Sequence, residues 1–480
     1  MGVGPSQEEE VLADEGLFEE EELLALRACF RLLASVPESA LPSSSFDGFP
    51  AVLPWPQLLN AMADAQFGLD KLTKWRGFVA VVARCCKTSR SERIRAFAQL
   101  YSTAGGETLD AMSVRELLVH SLTCARLGDA PTAEGATPLK WAAADALLGA
   151  ECLTIDAWLT WANEQLPALG LVQAAFMLQF LCAIGRAAAA GRAAALQAAR
   201  TDVVVCHAMR AVQEPLLHAA SDAEHLLQPA AAWLLGLSIG PAVEAREWRC
   251  IYSSATHGLS MNRFVHHVAN YGGPTLLLAS TDEGEVFGAY VDTPLKPSDS
   301  FFGGRDCFLF HLAPTFHVFR TTNVSSNFCL FSPHTTGQLR GGHYMSEGAD
   351  LLGFGGQKQR LRLGFEEDLN LLRWHNSCTS FEAHPNPEGR LKEGVRKVEL
   401  LELYGCGGAE ADMVQRELRE RRAKDAAKAG KVDRAAMFGL GKGVLGDEGA
   451  QDKFILETAG VHTFYSSQLE PLPQEPPSTE

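Results

Sequence analysis

The hydrophobic periodicity of this chain changes near residue 240, and that change limits the fold more than any other feature. Before it, apolar residues recur at three- and four-residue spacing, as in FEEEELLALRACFRLLASV, with acidic residues where a helix dipole favours them. After it, short apolar or alternating runs such as WRCIYSS, PTLLLAS and CFLFHL are separated by Gly, Pro, Asp and Ser. Such runs are typical of an antiparallel sandwich or barrel. The sequence therefore predicts an α+β chain in which an all-α region precedes a β domain.

Charge, proline and glycine patterns divide the chain further. We predict an acidic leader at 1–16, a helical region at 17–240, a β domain at 246–408, a charged helix with a glycine-rich linker at 409–450, and an amphipathic segment with a tail at 451–480. The apolar run ALGLVQAAFMLQFLCAIG at 168–185 is short for a membrane span and contains two glutamines, so a buried core helix is favoured.

Composition excludes several classes of protein. The balance of 46% hydrophobic and 21% charged residues is that of a globular protein. A net charge of −16 argues against a nucleic-acid partner, because phosphate binding needs clustered Lys and Arg. The twelve cysteines lie mostly in apolar runs and form no CxxC pair, which predicts free thiols in a reducing, cytoplasmic compartment.

The glycine-rich stretch GFGGQKQRLRLGF at 353–365 raises the question of a nucleotide site. A phosphate loop needs glycines that lead into a helix N-terminus. Here Leu361, Leu363 and Phe365 alternate with polar residues or glycine, which is a strand period. We therefore predict no nucleotide, and interpret the glycines as a tight turn that enters a strand.

The N-terminus, MGVGPS, fits the myristoylation pattern at Gly2. The other interpretation is a disordered acidic leader. One acyl chain gives only marginal membrane binding, with an association constant on the order of 10⁴ M⁻¹. The acidic run at 8–10 would repel anionic lipid, so stable residence on a membrane would need a second contact.

Five stretches in the second half of the chain occur in a characteristic order: EWRCIYSSATHGLSMNRFV, GGPTLLLASTDEGEVFGAYV, GGRDCFLFHLAP, GFGGQ and LLELYG. This ordered set resembles the TLDc domain over roughly residues 246–405. The resemblance implies a two-sheet antiparallel β-sandwich with flanking helices. It gives structural roles to the motif residues Gly353, Gly355, Gly356, Gln357, Glu402 and Gly405.

The rest of the chain is similar to the lysosome-associated, mTOR-linked branch of that family. This similarity implies an EF-hand-like N-terminal region. The best loop candidate, STAGGETLDAMS at 102–113, has no carboxylate at its first, third, fifth or twelfth position, so we predict a degenerate EF-hand without calcium. The stretch TSFEAHPNPEG at 379–389 departs from the family's usual Thr-Phe-Asn type of turn.

Partner binding is the function that the resemblance implies. TLDc proteins bind the peripheral V1 sector of the vacuolar-type proton ATPase, and the lysosomal branch is linked to TOR components. We therefore expect a non-enzymatic regulator on lysosomal or vacuolar membranes. The C-terminal segment would act as a clip or fold back onto its own domain; its apolar residues are Phe454, Ile455, Leu456, Phe464 and Tyr465.

The alternative is an oxidative-stress protein with a redox-active thiol, and Cys406 in LYGCGG is the candidate because its flanking glycines predict exposure. His266 and His267 are adjacent on a helix and should diverge, whereas His257 and His311 could meet in space. No constellation of catalytic residues stands out in the sequence. The sequence therefore predicts no enzyme activity, no cofactor and no metal site.

Overall fold

The structure is a computed structural model, and it describes nine segments of the chain. They are residues 14–34, 41–58, 75–102, 107–202, 213–218, 225–240, 247–332, 352–385 and 391–439, apart from positions 42, 48, 52, 56, 128 and 367. The chain divides into two units, Met1–Gln415 and Arg416–Glu480. The predicted lipidation site and the predicted clip residues lie outside the described residues.

The N-terminal region of the first unit is helical. Its helices are α1 (Glu20–Leu33), α2 (Trp75–Cys86), α3 (Arg90–Tyr101), α4 (Ala111–Ala125), α5 (Thr137–Leu147), α6 (Ile155–Gln165), α7 (Leu169–Arg186), α8 (Arg192–Asp202) and α9 (Pro229–Ile239).

Helix α7 forms the centre of this region. It is the one described helix that is long and apolar enough to cross a membrane, yet 78% of it is buried against α1, α2, α3, α4 and α8. Its buried Gln173 donates to the Tyr101 hydroxyl at 3.2 Å, which is how a core helix accommodates a polar side chain.

Two helix–strand–helix units stand side by side in the middle of the region. Strand β1 (Thr108–Asp110) lies between α3 and α4, and β2 (Cys152–Thr154) lies between α5 and α6. The two strands pair antiparallel, which joins the units as a pair. The Asp110 carboxylate accepts from the Ser113 amide at 2.7 Å and so caps α4. This is the EF-hand-like arrangement that the family resemblance implied.

The second half of the unit is built on a curled antiparallel sheet with short helices. The strands are β3 (Leu216–His218), β4 (Glu247–Ser253), β5 (Thr275–Thr281), β6 (Val286–Val291), β7 (Ser298–Phe302), β8 (Phe308–Ala313), β9 (His317–Arg320), β10 (Cys329–Phe331), β11 (Leu352–Gln357), β12 (Arg360–Glu366), β13 (Leu371–Trp374) and β14 (Gly394–Gly405). The short helices are α10 (Ser254–His257) and α11 (Met261–Val268).

The long strand β14 makes two layers out of one sheet. Its first residues, Gly394 to Lys397, pair with β13 and continue through β12, β11, β10 and β7. Its later residues, from Val398 to Gly405, pair with β5 and continue through β6, β8 and β9. Strand β4 also pairs with the end of β14, and β3 joins β4 in parallel. The α+β prediction with an antiparallel sandwich is confirmed.

Both faces of the β5–β6–β8 layer are buried, which explains its continuous apolar runs. In β5, Leu277 and Ala279 belong to the core between the two layers, whereas Leu276 and Leu278 belong to a core shared with the helices. The side chains of the run CFLFHL likewise alternate between the two cores, because successive strand residues point to opposite faces. A strand covered on both faces gains stability from apolar side chains at every position.

Gln165, the last residue of α6, fastens the helices to the edge strand β9. Its side-chain oxygen accepts from the Val318 amide at 2.6 Å, and its side-chain nitrogen donates to the Val318 carbonyl at 3.2 Å. The amide group thus completes the strand edge as a neighbouring strand would. Ser238 of α9 donates to the Gln165 backbone carbonyl at 2.8 Å and joins a third element to the contact.

Helix α12 (Gly408–Gly439) follows β14 directly. Its first turns pack on the sandwich: Asp412 pairs with Arg249 at 2.9 Å, and the Gln415 amide nitrogen donates to the carbonyls of His267 and Ala269. The charged helix predicted from residue 409 is present. The glycine-rich linker predicted after it lies outside the described residues.

We predict that Gln165→Ala lowers the free energy of unfolding by about 2–4 kcal/mol, because it leaves two buried backbone groups of Val318 without partners. Denaturant unfolding of the full chain measures the change. Gln197→Ala, at an exposed position of α8, is the matched control and should change stability by less than about 0.5 kcal/mol. Equal changes in the free energy of unfolding for the two variants would show that the contact between Gln165 and β9 does not stabilise the fold.

Candidate functional site

The structure places the predicted motif residues in two separate parts of the sandwich. The motif residues of β11 are Gly353, Gly355, Gly356 and Gln357. This strand belongs to the layer formed by β13, β12, β11, β10 and β7, here called the outer layer. Glu402, Gly405 and Cys406 lie at the end of β14, in the layer that faces the helices. The two groups do not converge on one pocket.

The glycines of β11 lie inside a strand, so their predicted position in a turn is wrong. Gln357 pairs with Arg360, and residues 358–359 alone form the turn. Gly355 and Gly356 have φ angles of +71° and +80°, which favour glycine. A Cβ at Gly356 would lie 2.3 Å from the Arg360 carbonyl oxygen.

The amides of these glycines are engaged within the fold. The Gly355 amide donates to the Phe328 carbonyl at 3.0 Å, and the Gly356 amide donates to the Ser380 hydroxyl at 3.2 Å. A phosphate loop presents such amides to its ligand. Here the glycines serve close packing between strands and leave neither amide to a phosphate.

Glu402 is a fully buried carboxylate that anchors the segment before α9. One oxygen shares a hydrogen bond of 2.7 Å with His225 Nδ1. The other accepts from the Leu226 amide at 3.0 Å and from the Tyr404 hydroxyl at 3.2 Å. A buried carboxylate with donors on both oxygens stabilises the elements that supply those donors. Sequence reasoning missed His225, which lies 177 residues from Glu402.

Gly405 gives Tyr271 the space to lie against the end of β14. A Cβ at this position would come within 2.4 Å of the Tyr271 ring carbon Cζ. The Tyr271 hydroxyl in turn accepts from the Gly407 amide at 2.7 Å. The glycines of LYGCGG therefore permit tight packing, and they do not open the chain to solvent.

The predicted exposure of Cys406 is wrong. The residue is fully buried in the core shared with the helices, and its amide donates to the Pro274 carbonyl at 2.9 Å. Burial raises the pKa of the Cys406 thiol far above its ordinary value. A thiol of this kind does not supply the thiolate that redox chemistry requires.

Most other described cysteines share this environment. Among the described cysteines, Cys152 is exposed and Cys378 is half-buried, while the others are buried. Burial raises the pKa of the Cys85 thiol to about 12. Burial also raises the thiol pKa of Cys29, Cys86, Cys124, Cys182, Cys307 and Cys329.

The histidines pair differently from the expectation. His257 stacks on His267, with ring centroids 3.7 Å apart, and does not meet His311. His266 is exposed on α11 beside His267, and the two rings are in edge-to-face contact with centroids 5.4 Å apart, so the predicted divergence of these side chains is only partial. His311 is fully buried on β8, and burial lowers its pKa to about 3.

Surface clefts are present on the helical region. Four surface clefts of about 300–440 Å³ are lined by residues of the helical region, and no motif residue contributes to them. What the motif residues do chemically is to hold the sandwich together.

We predict that Glu402→Gln lowers the free energy of unfolding by about 2 kcal/mol, because an amide cannot accept on both sides as the carboxylate does. Glu399→Gln, at an exposed position of the same strand, is the control and should leave stability unchanged. Thermal and denaturant unfolding of both variants test this. A fully stable Glu402→Gln protein would contradict the anchoring role.

Comparison with known proteins places the sandwich in a family. Residues 220–407 match the family model of the TLDc domain, which begins before the predicted start at 246 and includes α9. Oxidation resistance protein 1 of Homo sapiens is 30% identical over 161 residues, which cover 34% of this chain and 16% of the relative. The Bos taurus protein of the same name is 29% identical over 164 residues, with 34% and 17% covered.

Nuclear receptor coactivator 7 of Mus musculus is 29% identical over 163 residues, which cover 32% of this chain and 16% of the relative. The match thus spans about a sixth of the length of these relatives. The similarity is confined to one domain of longer proteins. Residues 220–407 of the chain are a TLDc domain.

Proposed function

We propose that this protein is a non-enzymatic regulator whose TLDc domain and C-terminal segment bind the V1 sector of a vacuolar-type proton ATPase. The observation that carries this proposal is the internal engagement of the motif residues. Glu402 is satisfied by internal donors, the β11 amides are paired, and Cys406 is buried. A domain with its polar groups used in this way acts through its exterior.

The protein acts at lysosomal or vacuolar membranes, as in the lysosome-associated, TOR-linked branch of the family. Three features of the chain support this branch: the acylation pattern at Gly2, the EF-hand-like helical region and the C-terminal ILETAGVHTFYSSQLEPLP segment. Acylation at Gly2 supplies one weak membrane contact, and the pump supplies the second that stable residence needs. Intact-mass measurement of the cellular protein tests the acylation.

The C-terminal segment is the proposed clip. In the sequence it is separated from the sandwich by α12, whose residues 420–425 are exposed and mostly charged. Aromatic anchors such as Phe464 and Tyr465 commonly carry binding energy when they dock in a groove of a partner.

We predict that affinity capture of the full chain from cells recovers V1 subunits. Deletion of residues 451–469 should reduce that recovery at least about tenfold, because it removes the apolar anchors. Deletion of the polar tail 471–480 is the control and should leave recovery unchanged. Quantitative mass spectrometry measures both. Equal recovery from the two deletions would remove the clip from the proposal, and absence of V1 subunits from every capture would remove the proposal itself.

The same captures test the link to TOR signalling. A scaffold for TOR components would retain them in cells that lack the assembled pump. Loss of these components together with the pump would show that any association with TOR depends on V1.

Protection from oxidants is a second candidate function, and the relatives named Oxidation resistance protein 1 favour it. The buried Cys406 does not fit a reactive thiol. We therefore predict that the purified protein and its Cys406→Ser variant consume hydrogen peroxide equally slowly, at the rate of an ordinary buried thiol. Rapid consumption that disappears in Cys406→Ser would contradict the non-enzymatic proposal.

A further inference from the structure

Three ionisable side chains from distant parts of the chain meet where the helices adjoin β9. Asp145 lies on α5, His317 begins β9, and His384 lies in the loop after β13. Asp145 is fully buried, and the two histidines are 6% and 3% exposed. Burial of three such groups together is costly unless each has a charged or hydrogen-bonding partner.

The distances within this cluster suit a small metal ion. One potential ligand atom from each residue lies within 4.8 Å of the other two. Asp145 Oδ1 is 3.5 Å from His384 Nε2, and Asp145 Oδ2 is 2.9 Å from His317 Nδ1. Ligand atoms at the usual distances from a tetrahedral zinc ion are about 3.3 Å apart. A movement of the side chains by an ångström or so would therefore bring these three ligand atoms to the distances of a zinc site.

The two oxygens of Asp145 differ in their surroundings. Oδ2 accepts from Trp161 Nε1 at 2.8 Å as well as from His317. Oδ1 is buried and has no hydrogen-bond partner among the described residues. Its neighbour His384 Nε2 is 3.5 Å away and does not meet hydrogen-bond geometry, so this buried oxygen is poorly satisfied and marks a position where a cation would be stabilised.

His311 is a further buried histidine on the neighbouring strand, outside the three residues whose ligand atoms lie within 4.8 Å of one another. His311 pairs directly with His317 across β8 and β9, which brings their side chains to the same face of the layer. His311 Nε2 is buried and has no hydrogen-bond partner among the described residues, while its Nδ1 is 3.1 Å from the Thr315 hydroxyl. In a metal site, a histidine usually forms a hydrogen bond with one ring nitrogen, which orients the ring, and binds the metal with the other.

We propose that Asp145, His317 and His384 form a closed site for a divalent transition metal of the zinc class, with His311 as the fourth ligand. Imidazole nitrogen and carboxylate oxygen are ordinary zinc ligands, and four protein ligands define a structural site. Trp161 acts as an outer partner that orients the carboxylate. Complete burial leaves no room for a substrate, so the role of the ion is to hold the helical region on the sandwich.

This inference goes beyond the proposed function. Asp145 lies outside residues 220–407, so the TLDc domain alone lacks one of the ligands. The four proposed ligands come from α5, β8, β9 and the loop after β13, and an ion bound to the folded state alone adds to its stability. The expectation of no metal site rested on the absence of a local ligand motif, and the 172 residues between Asp145 and His317 explain why none was visible.

The test uses the full chain after treatment with a chelator. Equilibrium dialysis against Zn²⁺, with metal analysis, should give one bound equivalent for the unsubstituted protein, together with a higher midpoint of thermal unfolding. His384→Gln should weaken binding at least about tenfold, because loss of one ligand weakens a zinc site strongly. His266→Gln, at an exposed position, is the control and should bind as the unsubstituted protein does.

A second measurement does not depend on whether the variant folds. Co²⁺ bound to the unsubstituted protein should show visible ligand-field bands without the near-ultraviolet thiolate band, because the proposed ligands contain no sulfur. Absence of stoichiometric binding, a thiolate band, or equal binding by His384→Gln and His266→Gln would each overturn the site.

Discussion

The burial of both faces of the β5–β6–β8 layer is the constraint on which the rest of this structure depends. One face packs against the outer layer through residues such as Leu277, and the other packs against the helices through residues such as Leu276. Separation of the helical region from the sandwich would expose a large apolar surface to water. The two regions therefore belong to one folding unit, although their sequences have different periods.

That constraint also explains why the motif residues are structural. A layer that is covered on both sides has no open face for a substrate, so its polar groups must be satisfied internally. Glu402 does this with donors from the segment before α9, and Gln165 does it at the β9 edge. What remains available to a partner is the outer surface, and this agrees with a function in protein binding.

Much of the architecture could be predicted from the sequence, because hydrophobic period and turn residues are local signals. The change of period near residue 240 gave the order of helices and strands. Local signals failed where the environment is set by distant segments. Flanking glycines suggested an open Cys406, whereas Tyr271 and the shared core close around it. The histidine partners of Glu402 and Asp145, His225 and His317, lie 177 and 172 residues away, and no spacing rule connects them.

Native-state hydrogen exchange of the full chain tests the shared core most directly. If β8 is buried by the helices on one face and by the outer layer on the other, its slowest amides and those of α5 and α6 open in one cooperative event, with similar free energies and similar denaturant dependence. Exchange of α5 and α6 through a much less costly opening, with β8 still protected, would contradict the account.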